Sequence, residues 1–150
     1  MMAGRGRPSG RELAVQVRNV LADVPTFLTS PVYRRWHLRW GATAAELAAQ
    51  LPGDALLPRA QFRATRAIAI DAPPQAVWPW LVQVGCLRAG WYSNDLLDNL
   101  GHPSATEILP EYQQIAVGQW VPMSPSSQPT ERTALKVHSF EANKWMLWSK

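Results

Sequence analysis

Arg66 is the residue whose type and place ask for chemistry first. It lies in FRATRAIAI, residues 62–70, where Phe62, Ala64, Ile68 and Ile70 recur at period two. Strict alternation puts Arg66 on their side of a strand. A buried guanidinium needs an anion, so Arg66 is matched with a carboxylate of the chain or with the polar end of a ligand. Asp95 or Glu111 is the candidate protein partner. The plainer readings are a structural ion pair, or a register that turns Arg66 to water, because a slip of one residue exchanges the two faces.

The other titratable residues offer less. Asp95 and Asp98 stand three apart, so on a helix they share a face, and two close carboxylates can divide acid and base roles. A cap and a solvated side chain is the commoner outcome for such a pair. Glu107 and Glu111 are separated by Pro110, which breaks any regular geometry between them. His37, His102 and His138 have no metal-ligand spacing. Cys86 follows a helix end, where nothing lowers a thiol pKa. The sequence carries no phosphate-cradling glycine loop, nucleophile elbow or zinc motif. Trp91, Tyr92, Trp120, Trp145 and Trp148 are candidates for the walls of a binding pocket, since rings give a ligand large contact area. Core packing is the simpler reading for any one of them.

Residues 33–40, YRRWHLRW, form the densest basic and aromatic patch. Arg34, Arg35 and Arg39 interleave with Tyr33, Trp36 and Trp40. This mixture suits an anionic membrane interface, with rings at headgroup level. It also suits stacking on single-stranded nucleic acid, a partner the reading disfavours. The plainer alternative packs the tryptophans on the domain and leaves the arginines in water.

The elements that must position these residues are legible from turn chemistry. Ser9 and Glu12 read as a capping box for a helix that stops near Val24, before Pro25. Thr43 and Glu46 form a second box, opening an alanine-rich helix over residues 44–51. After the strand at 62–70, Asp71-Ala72-Pro73-Pro74 ends the ladder and starts a helix whose stripe is Val77, Trp78, Leu81 and Val82. Pro79 predicts a kink or a short helix, and Gly85 its end. A third helix starts at Ser93 or Asn94 and ends before Gly101. Residues 117–123, 133–140 and 145–148 read as an antiparallel meander, with a turn at 141–144 where Asn143 accepts a left-handed backbone. In the first of these strands Val117, Gln119, Val121 and Met123 share a face; in the second, Leu135 and Val137 alternate with Lys136 and His138. Residues 1–8 are basic, glycine-rich and expected to be disordered.

IAIDAPPQAVWPWLVQVG resembles the opening of the START-like superfamily, also called SRPBCC or polyketide cyclase/dehydrase-like. RWGAT, LPGD, GWYSNDLLDNL, ILPEYQ and VGQW, in that order, resemble a largely uncharacterised bacterial branch of it. The resemblance covers about residue 36 to the end. It implies a helix-grip fold, in which a curved antiparallel sheet wraps a long C-terminal helix around an apolar cavity. It implies lipids, polyketides or other apolar ligands, with cyclases or hydrolases among the members. It places Trp91 and Tyr92 near the cavity mouth and turns Arg66 inward. The family has no universal catalytic residues, so the resemblance transfers a pocket and not a reaction. It also leads one to expect further strands and a long helix beyond Lys150, so the reading takes the chain as the front of a longer domain.

Composition is consistent with this. The chain has 150 residues, enough for one core, and eight Trp, which suggests broad flat surfaces. Thirteen Pro and nine Gly argue against a helical bundle. One cysteine excludes an internal disulfide framework and a cysteine-cluster zinc site. A net charge of +4 is compatible with anionic partners. No apolar run approaches the roughly 20 residues needed to cross a bilayer, and no secretory signal is evident. The expected fold is α+β, with a basic helical extension over residues 1–60 and a START-like domain over 61–150. The leading function is binding of a small hydrophobic molecule by Arg66, Trp91, Tyr92, Asp95, Trp120 and Trp148, with no cofactor or metal. The alternatives are a cyclase- or hydrolase-like enzyme using Asp95 or Glu111, and anionic contact through Arg34, Arg35, Trp36, Arg39 and Trp40. The expected location is cytoplasmic, with peripheral membrane contact as an option.

Overall fold

The structure is a computed structural model that describes residues 8–125 and 128–150. The expectation of disorder at 1–8 falls almost wholly on residues 1–7, outside the described ones. The architecture is α+β: helices and one small antiparallel sheet. The chain divides into two compact units, Ala22–Asp71 on the one hand and Met1–Leu21 with Ala72–Lys150 on the other.

Helix α1, Gly10–Thr29, opens on the expected capping box. The Ser9 N–H donates to Glu12 Oε2 at 2.7 Å and the Glu12 N–H returns a bond to Ser9 Oγ at 3.3 Å. The helix does not stop at Val24. It continues through Pro25, and the Thr29 hydroxyl closes its last turn on the Pro25 carbonyl at 2.8 Å. Proline has no N–H for the carbonyl four residues before it, which is that of Leu21. The division between the two units falls at this weakened rung.

Ala22–Asp71 contains the end of α1, then α2 (Arg34–His37) and α3 (Ala44–Ala48). The capping box of α3 is formed as the sequence predicts, with Thr43 and Glu46 exchanging bonds. The helix is shorter than expected, ending at Ala48, where the backbone of Ala49 turns extended. Residues 62–70 form no strand and belong to no sheet. The N–H groups of Thr65 and Ala67 donate to the carbonyls of Leu38 and Trp40, at 2.9 and 3.2 Å. The alternation is that of a strand, but its partner is the turn after α2. The apolar face is left largely open, and Phe62, Ile68 and Ile70 are 58%, 73% and 55% exposed. No residue of Ala22–Asp71 is buried.

In the other unit, α4 (Pro74–Val82) starts with Pro74 in its first turn and carries Pro79 inside. Its short length limits what Pro79 costs. Residues 85–90 close a tight loop, with Gly85 and Gly90 exchanging backbone bonds at 3.1 Å. Gly90 has φ +90°, and a side chain there would strike Ser104. Helix α5 is a single turn, Asp95–Asp98, and a 3-10 turn follows at Pro110–Tyr112.

The sheet is the expected meander of β1 (Trp120–Pro122), β2 (Ala134–Glu141) and β3 (Trp145–Ser149), in the order β1-β2-β3. Asn143 makes the hairpin turn with φ +62°. The first strand is shorter than residues 117–123: Val117 and Met123 are 67% and 44% exposed, and only Val121 of the expected face is buried. The register pairs Val121 with Leu135, Val137 with Trp148 and Phe140 with Met146, so these six side chains share one face. A bulge between Val137 and Ser139 keeps Phe140 on that face.

Candidate functional site

The buried residues of the sheet-bearing unit are small. Besides Gly85, Gly90 and Gly101 they are Val82, Val84, Cys86, Ala89, Ala105, Val121, Ala134 and Val137, with Gln83 and Asn99 as the buried polar ones. Valine is therefore the largest apolar side chain wholly inside. The rings stand around this core in contact with one another. Trp78 on α4 meets Phe140 at 6.3 Å between centroids, Trp80 meets Tyr92 edge-on at 5.8 Å, and Trp91 meets Trp148 edge-on at 6.0 Å. Each such pair contributes about 0.5–1.5 kcal/mol beyond its area. None of the six rings is buried. These three pairs form an aromatic wall, partly open to solvent, from α4 across the loop after Gly90 to the sheet.

Gln83 holds the wall to the loops. Its amide nitrogen donates to the Tyr92 hydroxyl at 2.5 Å and to the Glu107 carbonyl at 3.1 Å. Its oxygen accepts from the Leu109 N–H at 2.9 Å and from Gln113 Nε2 at 3.2 Å. Asn99 does the same for the next loop, accepting from the Leu87 N–H at 2.7 Å and donating to the His102 carbonyl at 2.6 Å. The nitrogen and oxygen of both amides have partners, as burial requires. Arg88 is the half-buried cation of this unit. It donates to the Val82 carbonyl at 3.2 Å, at the C-terminal end of α4, and lies over the Tyr112 ring at 4.9 Å. Burial pulls its guanidinium down from the usual range, and Tyr112 opposes that pull. Burial, and then the charge of Asp98, push the Cys86 thiol up, so it is an inert interior group.

Several sequence expectations require correction. Arg66 does not face a cavity: it is exposed, and its Nε donates to the His37 carbonyl at 2.6 Å. The reason is the missing sheet partner, which leaves neither face of residues 62–70 inside. Asp95 is not poised toward the aromatic wall. Its Oδ1 accepts from the Ser104 N–H at 3.1 Å and the Ser104 hydroxyl at 2.5 Å, clamping the loop after α5. Asp98 is held by the Ser93 hydroxyl at 2.5 Å and the Asn94 N–H at 3.3 Å, so the two aspartates serve separate turns. Glu111 is exposed in the 3-10 turn. Trp120 pairs with Lys136 and Trp148 with its neighbour Val137, which places the two tryptophans on opposite faces. The Lys136 ammonium sits 4.3 Å from the Trp120 ring centroid. Trp91, Tyr92 and Trp148 are brought together in the wall, as Trp120 and Asp95 are not.

Gln83, Asn99 and Arg88 were not singled out by sequence reasoning. A signal existed for Gln83, the lone polar residue in VWPWLVQVG. For Asn99 the signal was weaker, because an asparagine after a helix reads as a terminator. Among the described residues no group of three or more His, Cys, Asp or Glu could hold a metal ion.

The Ala22–Asp71 unit has its own feature. A groove of about 560 Å³ is lined by Pro25, Thr26, Thr29, Tyr33, Trp36 and His37. Trp36 stacks on Trp40 at 6.4 Å and meets His37 edge-on at 5.1 Å. Arg34 lies 5.7 Å from the Phe62 ring centroid. Arg34, Arg35 and Arg39 are exposed and form no ion pair among the described residues.

Comparison of the chain with protein-family models, curated proteins and solved structures finds no match.

Proposed function

We propose that the chain binds a small apolar molecule against the aromatic wall between α4 and the sheet, in a START-like, helix-grip arrangement. One observation carries the reading. The rings of Trp78, Phe140, Trp91 and Trp148 pair off yet keep part of their surface in solvent, while the buried apolar set reaches only the size of valine. Paired rings that keep part of their surface in solvent mark a place where apolar area remains to be covered. A ligand that covers it gains about 25 cal/mol per Å² of apolar surface removed from water. Gln83 and Asn99 keep the supporting loops fixed through satisfied buried bonds, so the wall is preformed. Binding without turnover fits the side chains at the wall, which carry no carboxylate, imidazole or thiol.

The test is a titration of intrinsic tryptophan fluorescence with anilinonaphthalenesulfonate and with a series of saturated fatty acids. Saturable quenching is expected, weakened about tenfold or more by Trp148→Ala and by Trp91→Ala. Trp120→Ala, on the other face of the sheet, leaves the affinity unchanged. Equal loss in all three variants, or no saturable change with any compound, contradicts the proposal.

A further inference from the structure

We propose that the Ala22–Asp71 unit docks on the surface of an anionic lipid bilayer, with its aliphatic and aromatic side chains in the headgroup–acyl boundary and its arginines on the lipid phosphates. The inference does not rest on ligand binding at the aromatic wall. It starts from burial: fifty residues of chain hold no buried residue, so the unit has no core of its own. The large apolar side chains that a core would take are outside instead. Phe27, Leu28, Val32 and Trp36 are 69%, 75%, 81% and 61% exposed. They fall at the end of α1, in the turn after it and on α2, and Trp36 also lines the groove with Tyr33.

Charge identifies the partner. Residues 33–40 hold three arginines and no acid, and none of the three is ion-paired among the described residues. Cations beside exposed rings and aliphatics match a surface that is anionic at headgroup level and apolar just beneath. Single-stranded nucleic acid fits less well. Base stacking uses ring faces, and the Trp36–Trp40 stack, with planes 25° apart, occupies one face of each. Leu28 and Val32 have no role against a phosphate polymer and a direct one in an acyl boundary. The contact is peripheral, because among the described residues no helix is long and apolar enough to cross a membrane.

The test is flotation of the full chain with vesicles of phosphatidylserine and phosphatidylcholine, against phosphatidylcholine alone. Binding is expected only with phosphatidylserine, and it falls as salt is raised. Arg34→Gln, Arg35→Gln and Arg39→Gln together weaken it roughly a hundredfold, at about tenfold or less per guanidinium. Leu28→Asp with Val32→Asp abolishes it, while circular dichroism reports an unchanged fold because both sites are exposed. The salt series on the unaltered protein stands whatever the variants do. Equal binding to neutral vesicles, no vesicle binding, or binding to a single-stranded oligonucleotide in its place overturns the proposal.

Discussion

Replacing Gln83 by leucine removes the amide on which the loops around the aromatic wall converge. The side chain is wholly buried and fills four hydrogen-bonding roles, to the Tyr92 hydroxyl, the Glu107 carbonyl, the Leu109 N–H and the Gln113 amide. Tyr92 is 41% exposed and can turn to water. Gln113 keeps the carbonyls of Pro79 and Leu109, both at 3.3 Å. That leaves the Glu107 carbonyl and the Leu109 N–H without their partner. Each unsatisfied group costs about 1–3 kcal/mol. Leucine is apolar and of similar size, which offsets about 1 kcal/mol of the total. The net expectation is a loss of about 3 kcal/mol. For a chain of this length that lowers the melting temperature by about 6–12 °C. Urea unfolding followed by tryptophan fluorescence, with calorimetry alongside, measures both. Tyr92→Phe, which loses one hydroxyl bond, costs only about 1 kcal/mol. A Gln83→Leu variant within about 0.5 kcal/mol of the parent refutes the assignment of Gln83 as the polar centre of this unit.

Three further expectations concern single residues. Gly41 has φ +73°, and a side chain there would land on the Ala67 carbonyl. Gly41→Ala therefore breaks the pairing of Ala67 with Trp40, read as faster hydrogen exchange at the Ala67 N–H, and slow exchange there contradicts the pairing. The Cys86 thiol has its pKa raised in the folded chain, so its contribution to stability is present below the ordinary thiol range and is lost as pH rises through it. Unfolding midpoints should fall more steeply on the alkaline side for the parent than for Cys86→Ala, and parallel profiles count against a buried thiol. The Glu46 carboxyl is held below its ordinary range by the Thr43 N–H and then by the Thr43 hydroxyl. Its support of the α3 cap is present above the ordinary carboxylate range and lost as pH falls through the depressed value, which carbon-detected titration of Glu46 in the parent and in Thr43→Ala resolves.

The parts of the fold legible in the sequence are those set by neighbours a few residues apart. Ser9 with Glu12 and Thr43 with Glu46 specify their caps locally, and both form. Pro74 suits a first helical turn wherever the helix lies. Asn143 and the alternation on either side of it define the hairpin. What failed depended on distant partners. Period-two alternation at 62–70 describes a strand's faces, but whether either face is covered depends on where the chain brings a second strand. Here the partner is the turn at Leu38 and Trp40, so Arg66 and Ile68 end in solvent. Pro25 was read as a stop because its cost is local, yet the Thr29 hydroxyl and the turns beyond close the helix four residues later. At the candidate site, ring type singles out Trp91, Tyr92, Trp120 and Trp148 alike as candidate pocket walls. Ring type does not separate Trp148 from Trp120, because that distinction depends on a one-residue difference in cross-strand register.

Binding at the aromatic wall is tested most directly by native mass spectrometry of the protein as purified from bacteria, followed by identification of any small molecule released on denaturation. A START-like binding function predicts a stoichiometric apolar adduct that disappears in Trp91→Ala and Trp148→Ala and persists in Trp120→Ala. A folded protein that carries no adduct, and acquires none when incubated with the fatty-acid series, contradicts it.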